Sequence, residues 1–361
     1  MNCLENISRI TFSPQLVKTL TDLYTYKGKD FFYEKQLQDY MKGIVQETIE
    51  KDAIYAGKIF GLSVKENRER LVVISDSEPK TKDEKVLANL KRIFRIVQDK
   101  GEELNVDDNE FLKLANILFE GVKDVNFKSR QVIETEGLFN PKKNVSNRDL
   151  LANELKLYKD IINGKKMEDT QAITNLYVDL IHQDIFTEHN DFLALMIEYC
   201  LLFKSRFNVF KYISFFESYY NNLKEFQTYT DEAGFKWETG YADTQNLNGK
   251  LIEIMIDGYK ETEAILERKN FDHGTGKKDT VMSAIMHLPQ TFSKADVKKA
   301  CPRFSESTIQ RALIELRDEG KIKPNGTGRS ASWTKLVHNE QLQSQYNQIT
   351  IEDLLNGPNN N

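Results

Sequence analysis

The sequence has little cysteine and no long hydrophobic run. Cys3, Cys200 and Cys301 are scattered over 361 residues with neither metal-ligand spacing nor an even count, which argues against a disulfide framework and suits a reducing cytosol. No stretch approaches the ~18 apolar residues of a membrane helix. The first ten residues, MNCLENISRI, lack a charged segment leading into an apolar one, so no export signal is expected there. A net charge of −5 argues against blanket binding of polyanions, while leaving room for a local basic patch. No internal repeat is visible. These absences lead to the expectation of a cytoplasmic protein without membrane contact.

What is present is ample material for a core: 40% of residues are apolar, with 21 Phe and 15 Tyr, and the length allows two domains. The chain is organised around residues 182–203, HQDIFTEHNDFLALMIEYCLLF. From Phe192 onward this run has almost no polar face, so it should form a helix buried on most sides, at the centre of the fold. Asp184 to Asp191 then sit at its N-terminus, where free backbone N–H groups and the helix dipole can hold an anion.

Helices are expected from near Ser13-Pro14, from Tyr33 through Ile49 to Phe60, at Val86 to Val97 and Asn109 to Val122, and from Asn147 to Asn163. Residues 64–85 are charged, with one apolar interruption at Leu71 to Ile74. Val132-Ile133 and Leu138-Phe139 flank Glu136-Gly137, a hairpin signal. Ala172 to Ile181 leads into the central stretch, and Phe210 to Leu223 forms a helix beyond it. A polar segment at 228–247 precedes a last helix from Leu251 to Leu266. The expected domains are 1–268, a linker at 269–278 containing Gly274 and Gly276, a module at 279–337, and a polar Gln/Asn-rich tail at 338–361.

The C-terminal module reads as three helices, Val281 to His287, Ser293 to Ala300 and Ser305 to Glu319, with a turn through Pro302 and Arg303. Gly320 ends the third, and a hairpin follows with strands Lys321 to Lys323 and Ala331 to Leu336. This order resembles a winged helix-turn-helix, whose third helix enters the DNA major groove. Ser305, Ser307, Thr308, Gln310 and Arg311 would lie on its exposed face, while Ile309, Leu313 and Leu316 keep core spacing. Residues 294–335 hold ten Lys/Arg against five Asp/Glu, a local +5, and Lys321, Lys323 and Arg329 belong to the wing. That asymmetry favours phosphate contact, so Ser307, Thr308, Gln310, Arg311, Lys323 and Arg329 are the candidate DNA-binding residues. Protein docking or homodimerisation through the same module is the competing expectation.

The order of parts resembles the Fic family. Its motif, His-x-Phe-x-Asp/Glu-Gly-Asn-Gly-Arg, opens a buried helix, and the best register places Asp184-Ile185-Phe186-Thr187-Glu188-His189-Asn190-Asp191-Phe192 on it, with Phe186, Glu188 and Asn190 matching. The hairpin at Arg130 to Phe139 falls where the family has its flap, and Phe216 to Leu223 resembles the Tyr-Tyr-containing helix after the active site. The resemblance implies a mainly α fold: a Fic-like helical domain with a small β-hairpin flap, joined to the winged helix-turn-helix.

In the family the motif His takes a proton from a target-protein hydroxyl, which attacks the α-phosphate of ATP, and the acidic residue binds Mg²⁺. Asp184 stands in place of that His. An aspartate with a pKa of ~3.9 is a poor base beside an imidazole of ~6.5. Glu188 could still hold Mg²⁺, and Asn190 would belong to the nucleotide site. His189 and Asp191 replace the glycines whose backbone wraps phosphate, and Phe192 removes the arginine that pairs with it. The family's inhibitory motif, Ser/Thr-x-x-x-Glu-Gly/Asn, falls on Ala56 to Gly61, with Phe60 in place of its glutamate.

The resemblance therefore implies a retired active site needing no cofactor, in a DNA-binding or regulatory scaffold. The alternative is a divergent adenylyltransferase using ATP and Mg²⁺, with His182 or His189 as substitute base. A pure interaction module is a third reading. His182, Asp184, Glu188, His189 and Asp191 lack the i, i+4 histidine pair of a metallohydrolase, and Gly276-Lys277 lacks the preceding strand and first glycine of a phosphate loop.

Overall fold

The computed structural model describes residues 3–38, 40–133, 142–272, 278, 281–282, 284–286, 288–301, 304–326 and 332–336. The chain divides into two units, Met1–Ala264 and Ile265–Asn361. No described helix is long and apolar enough to cross a membrane.

The first unit is helical, and many of its helices start where the side chains predict. The Ser13 hydroxyl accepts from Leu16 N at 3.2 Å to cap α1 (Pro14–Lys27), with Pro14 at the first position, where no N–H is needed. The single helix expected from Tyr33 to Phe60 is two, α2 (Asp30–Leu37) and α3 (Met41–Phe60), separated by a turn in which Tyr40 N bonds to Leu37 O at 2.7 Å. In the charged segment that follows, α4 (Glu66–Val73) buries only Val72 and Val73, too little apolar surface to stand out in sequence. Thr81 and Asp107 cap α5 (Lys82–Lys100) and α6 (Asp108–Leu118).

The hairpin pairs β1 (Ser129–Ile133) with β2 (Lys142–Ser146), in a register running from Ser129↔Ser146 to Ile133↔Lys142. The expected turn at Glu136-Gly137 and the expected returning strand at Leu138-Phe139 lie outside the described residues. Strand β2, KKNVS, has one apolar residue and so carries no alternation to detect.

Three helices then lead to the centre: α7 (Asn147–Asn163), α8 (Asp169–Gln183) and α9 (Asn190–Lys204). Every residue of α9 from Phe192 to Phe203 is buried, as the near-absence of a polar face requires. Beyond it, the one helix expected from Phe210 to Leu223 is divided into α10 (Val209–Tyr212), α11 (Phe215–Asn221) and α12 (Leu223–Gly234). A buried carboxylate explains the restart. Asp52, on α3, accepts from Ser214 Oγ at 2.6 Å, Phe216 N at 3.0 Å and Tyr199 Oη at 3.2 Å, which pins the first turn of α11. Helix α12 runs into the segment expected to be a polar loop, since it buries only Phe226 and Ala233. The last helix, α13 (Gln245–Asp272), is longer at both ends than the expected 251–266. Its start is tied to α8 by buried amides: Gln171 Nε2 donates to Thr244 Oγ1 at 2.7 Å, and Asn248 Nδ2 to Gln171 Oε1 at 3.1 Å.

In the second unit residues 281–282 and 284–286 are helical. They are followed by β3 (Thr291–Ser293), α14 (Lys294–Ala300), α15 (Glu306–Asp318), β4 (Ile322–Pro324) and β5 (Ser332–Lys335), with the strands antiparallel in the order β3-β5-β4. Strand β3 is not expected from sequence; it is three residues long and is created by pairing Phe292 with Trp333. Ser293 and Asp296 form a capping box at α14, and Gly320, at φ +70°, follows the end of α15. Ile309, Leu313 and Leu316 join Phe292, Ile322 and Trp333 in the core. His287, Pro302, Arg303, the linker glycines, Arg329 with the rest of 327–331, and the tail from 337 lie outside the described residues.

Candidate functional site

The loop between α8 and α9 is strapped to the chain entering β1. Phe127 and Phe186 form a β-bridge and stack their rings at 5.7 Å. Lys128 N donates to Ile185 O at 2.9 Å, and Thr187 N to Asn126 O at 2.9 Å. Both ends of the loop are left-handed: Asp184 has φ +49° and His189 φ +47°. Such backbone costs a non-glycine residue about 1–2 kcal/mol, so the straps on either side must hold it in place.

Asn190 is the staple of this turn. Its Oδ1 accepts from Phe186 N at 3.2 Å, and its Nδ2 donates to Leu180 O at 2.9 Å and Ile181 O at 3.3 Å. The residue expected to meet a cofactor therefore closes the end of α8 onto the start of α9. Asp184 pairs with Lys128, and Glu188 pairs with Lys123 at 2.6 Å. The Lys123 hydrogen bond and charge hold the Glu188 carboxyl below its usual range. The expected Mg²⁺ ligand thus already has a cation. Among the described residues no three His, Cys, Asp or Glu side chains gather as a metal would need.

The two candidate bases are in different surroundings. His189 stacks on Phe60 at 4.3 Å and on Phe119 at 5.4 Å, and partial desolvation followed by the nearby Lys123 charge lowers its pKa. His182 stacks on Trp237 at 5.1 Å, while the Trp237 indole N–H is fixed by Asp179 at 2.7 Å. Desolvation lowers the pKa of His182 too. A Cβ on Gly234 would come within 2.3 Å of His182 Nε2, so this ring needs a glycine beside it.

A cavity of about 740 Å³ opens beside this loop. Asp184, His189, Asn190, Asp191 and Phe192 reach it; His182 is not among its lining residues. Its far side is formed by Tyr177, Tyr219, Gln227 and Asp231, from α8, α11 and α12. Across the mouth Phe60, the last residue of α3, meets Phe192 edge to face, with ring centroids 5.0 Å apart at 90°.

No family model matches the sequence, and no curated protein does. Solved structures do. A Fic family protein from Desulfovibrio desulfuricans G20 superposes over 91% of this chain and 98% of its own, with a TM-score of 0.52 at 13% identity. The chain has the fold of a Fic family protein. A Fic domain containing signaling protein from Bacteroides thetaiotaomicron VPI-5482 (12% identity, 68% of this chain and 96% of its own) and Fic-1 from C. elegans (12%, 68% and 71%) align with TM-scores of 0.48 and 0.47.

The register drawn from sequence puts the inhibitory glutamate at Phe60 and the phosphate-binding arginine at Phe192, two positions read from separate stretches of chain. In the structure they touch. Lys123, Lys128 and Phe119, which set the charge and shape of the loop, were not singled out by sequence; their partners lie 65, 56 and 70 residues away, beyond any local pattern.

In the second unit the candidate residues of α15 do share one surface. Ser307, Gln310 and Arg311 are exposed and Thr308 is half-buried, its hydroxyl 2.9 Å from the capping Ser305 Oγ. Lys323 is exposed on β4. Arg311 and Lys323 have no ion-pair partner among the described residues, whereas Lys321 pairs with Glu319 at 2.9 Å. Arg329 lies outside the described set.

Proposed function

We propose that this is a Fic-fold protein without nucleotidyl transfer, acting as a regulatory scaffold whose C-terminal unit is a winged helix that binds DNA. The observation that carries the first part is the Phe60–Phe192 pair. Where the resemblance expects a phosphate-gripping arginine and the glutamate that competes for it, two apolar rings satisfy each other. A triphosphate brought to this mouth would meet Asp191 and the Phe192 ring instead of a guanidinium, and losing such a partner costs roughly 2–5 kcal/mol.

ATP and Mg²⁺ therefore do not fit the residues present. Glu188 is engaged by Lys123, and the Asn190 amide is occupied by backbone groups. The DNA part is supported by the exposed face of α15, by Arg311 and Lys323, which have no ion-pair partner among the described residues, and by the local excess of basic residues.

Incubation with α-labelled ATP, Mg²⁺ and cell lysate tests the first part, with no label transfer expected. Transfer that disappears in Glu188→Ala or His189→Ala would establish the divergent adenylyltransferase instead. Gel retardation across a salt series tests the second. Binding should weaken with salt and fall in Arg311→Ala and Lys323→Ala, each reducing the salt slope by about 1. Salt-insensitive or absent retardation, with concentration-dependent self-association, would assign the unit to dimerisation.

A further inference from the structure

Away from the loop before α9, three buried oxygen atoms have no hydrogen-bond partner among the described residues: Asp30 Oδ1 on α2, and Asn208 Oδ1 and Tyr212 Oη at the two ends of α10. Asp30 is 8% exposed and Tyr212 3%. Asn208 and Tyr212 stand one turn apart and so share a face of the helix. That face meets Asp30. An Asn208 backbone N–H turns toward the Asp30 carboxyl group, and Asp30 lies close enough to Tyr212 for its charge to act on the hydroxyl.

The surroundings are aromatic. Tyr259, on α13, donates its hydroxyl to Asp30 Oδ2 at 3.2 Å and stacks on Tyr26 at 5.8 Å. Tyr33 meets Tyr259 at 6.0 Å and Tyr212 at 6.3 Å. Burial pushes the Asp30 carboxyl up to about 7; the Tyr259 hydrogen bond and the Lys27 charge pull against it, and Glu34 pushes with it. The nearby lysines are committed to other groups. Lys27 donates to Ser205 O at 2.8 Å and lies 3.8 Å above the Phe207 ring, Lys29 pairs with Glu263 at 2.9 Å, and Lys211 pairs with Glu102 at 3.4 Å and Glu34 at 3.8 Å.

A buried carboxylate and two further oxygens without partners are costly, and a cation set among them would relieve all three at once. Tyrosine faces add to the attraction. A divalent ion is held by a larger set of oxygens, usually with more than one carboxylate, whereas this cluster offers one. We propose that Asp30 Oδ1, Asn208 Oδ1 and Tyr212 Oη bind a small monovalent cation, which ties α2 to α10 beside α13. Potassium, sodium and ammonium offer the same chemistry.

Thermal melting of the full chain, followed by circular dichroism in potassium, sodium, ammonium and tetramethylammonium chloride at one ionic strength, tests it. Tetramethylammonium is too bulky for three converging oxygens and serves as the reference. At about 200 mM, at least one small cation should raise the melting temperature by roughly 2 °C or more above that reference, with an effect that saturates. A rise with potassium or sodium marks a metal ion, and a rise with ammonium alone marks an N–H donor. Asp30→Asn keeps the shape without the charge and should abolish the difference between salts. Tyr212→Phe keeps the ring without the oxygen and should at least halve it. Each variant is compared only with itself across the four salts, so a general loss of stability leaves the readout intact, and if Asp30→Asn does not fold, Tyr212→Phe decides. Equal melting in all four salts, the result for a buried water only, would overturn the proposal. So would a salt preference that persists undiminished in the variants.

Discussion

Helices α9 and α15 both begin with a polar turn that sequence alone marks as a binding surface, and the structure treats them in opposite ways. At α9 the polar groups are largely engaged: Asn190 by three backbone groups, Asp184 and Glu188 by lysines from the chain before β1, and the His189 ring by two phenylalanines. At α15 Ser305 caps the helix and the next turn leaves Gln310 and Arg311 exposed. Composition does not separate these cases; prior engagement by the rest of the fold does. The same test narrows the basic patch of the second unit. Lys294, Arg317 and Lys321 pair with Glu306, Asp318 and Glu319, and Lys335 is buried, donating to Met286 O and Leu288 O. The local +5 is thus a count of residues, and the charge offered outward is smaller.

The sharpest way to break this comparison is to put a charge into one half of the Phe60–Phe192 contact. Phe192→Arg would place an uncompensated charge against Phe60 and Phe216 and should cost about 3–5 kcal/mol in chemical denaturation, with part of the loss recovered on adding Phe60→Glu. A cost below about 1 kcal/mol would mean that the mouth is open enough to solvate the guanidinium, and the retired-site reading would lose its main support. Next in size, Asn190→Ala leaves buried backbone groups unpaired and should cost about 2–3 kcal/mol, whereas Gln310→Ala should stay within about 0.5 kcal/mol. Equal effects would erase the distinction between the two helix starts.

The smallest effect is a dependence on pH. Burial pushes Asp30 and Asp52 up to about 7, Asp179 to about 6 and Glu198 to about 8. In an unfolded chain these groups titrate near ~4, so the native state keeps protons that the unfolded state has released. Their contribution to stability is complete below that value and is lost as pH rises through 6 to 8. In the second unit the signs reverse: hydrogen bonds from Ser293 lower Asp296, and Lys278 and Lys321 lower Glu319, so their contribution is lost as pH falls. Melting followed by circular dichroism should show the main transition rising by on the order of 5 °C between pH 8 and pH 5.5. Glu198→Gln should flatten that rise, and a flat or inverted profile in the parent chain would show that these carboxyl groups are better solvated than their burial implies.

Much of the fold was legible in the residues themselves. Ser13, Asp107 and Asn147 mark helix starts, and the run from Phe192 to Phe203 announces a buried helix, because capping and hydrophobic periodicity act within a turn or two of chain. Helix α4, the far half of α12 and strand β2 were not, since each buries or carries too few apolar residues for a period to show. The restart at α11 depends on Asp52, 162 residues earlier in the chain.

The candidate site divides along the same line. By itself the sequence determined which residues stand where the resemblance to the Fic motif expects others: Asp184 for a histidine, His189 and Asp191 for glycines, Phe192 for an arginine. Only the tertiary structure decided what these residues meet, bringing Phe60 against Phe192, Lys123 to Glu188 and Lys128 to Asp184. Contacts between such distant residues are set by packing of whole helices, and a side chain's own neighbours in sequence carry no trace of which partner it will meet.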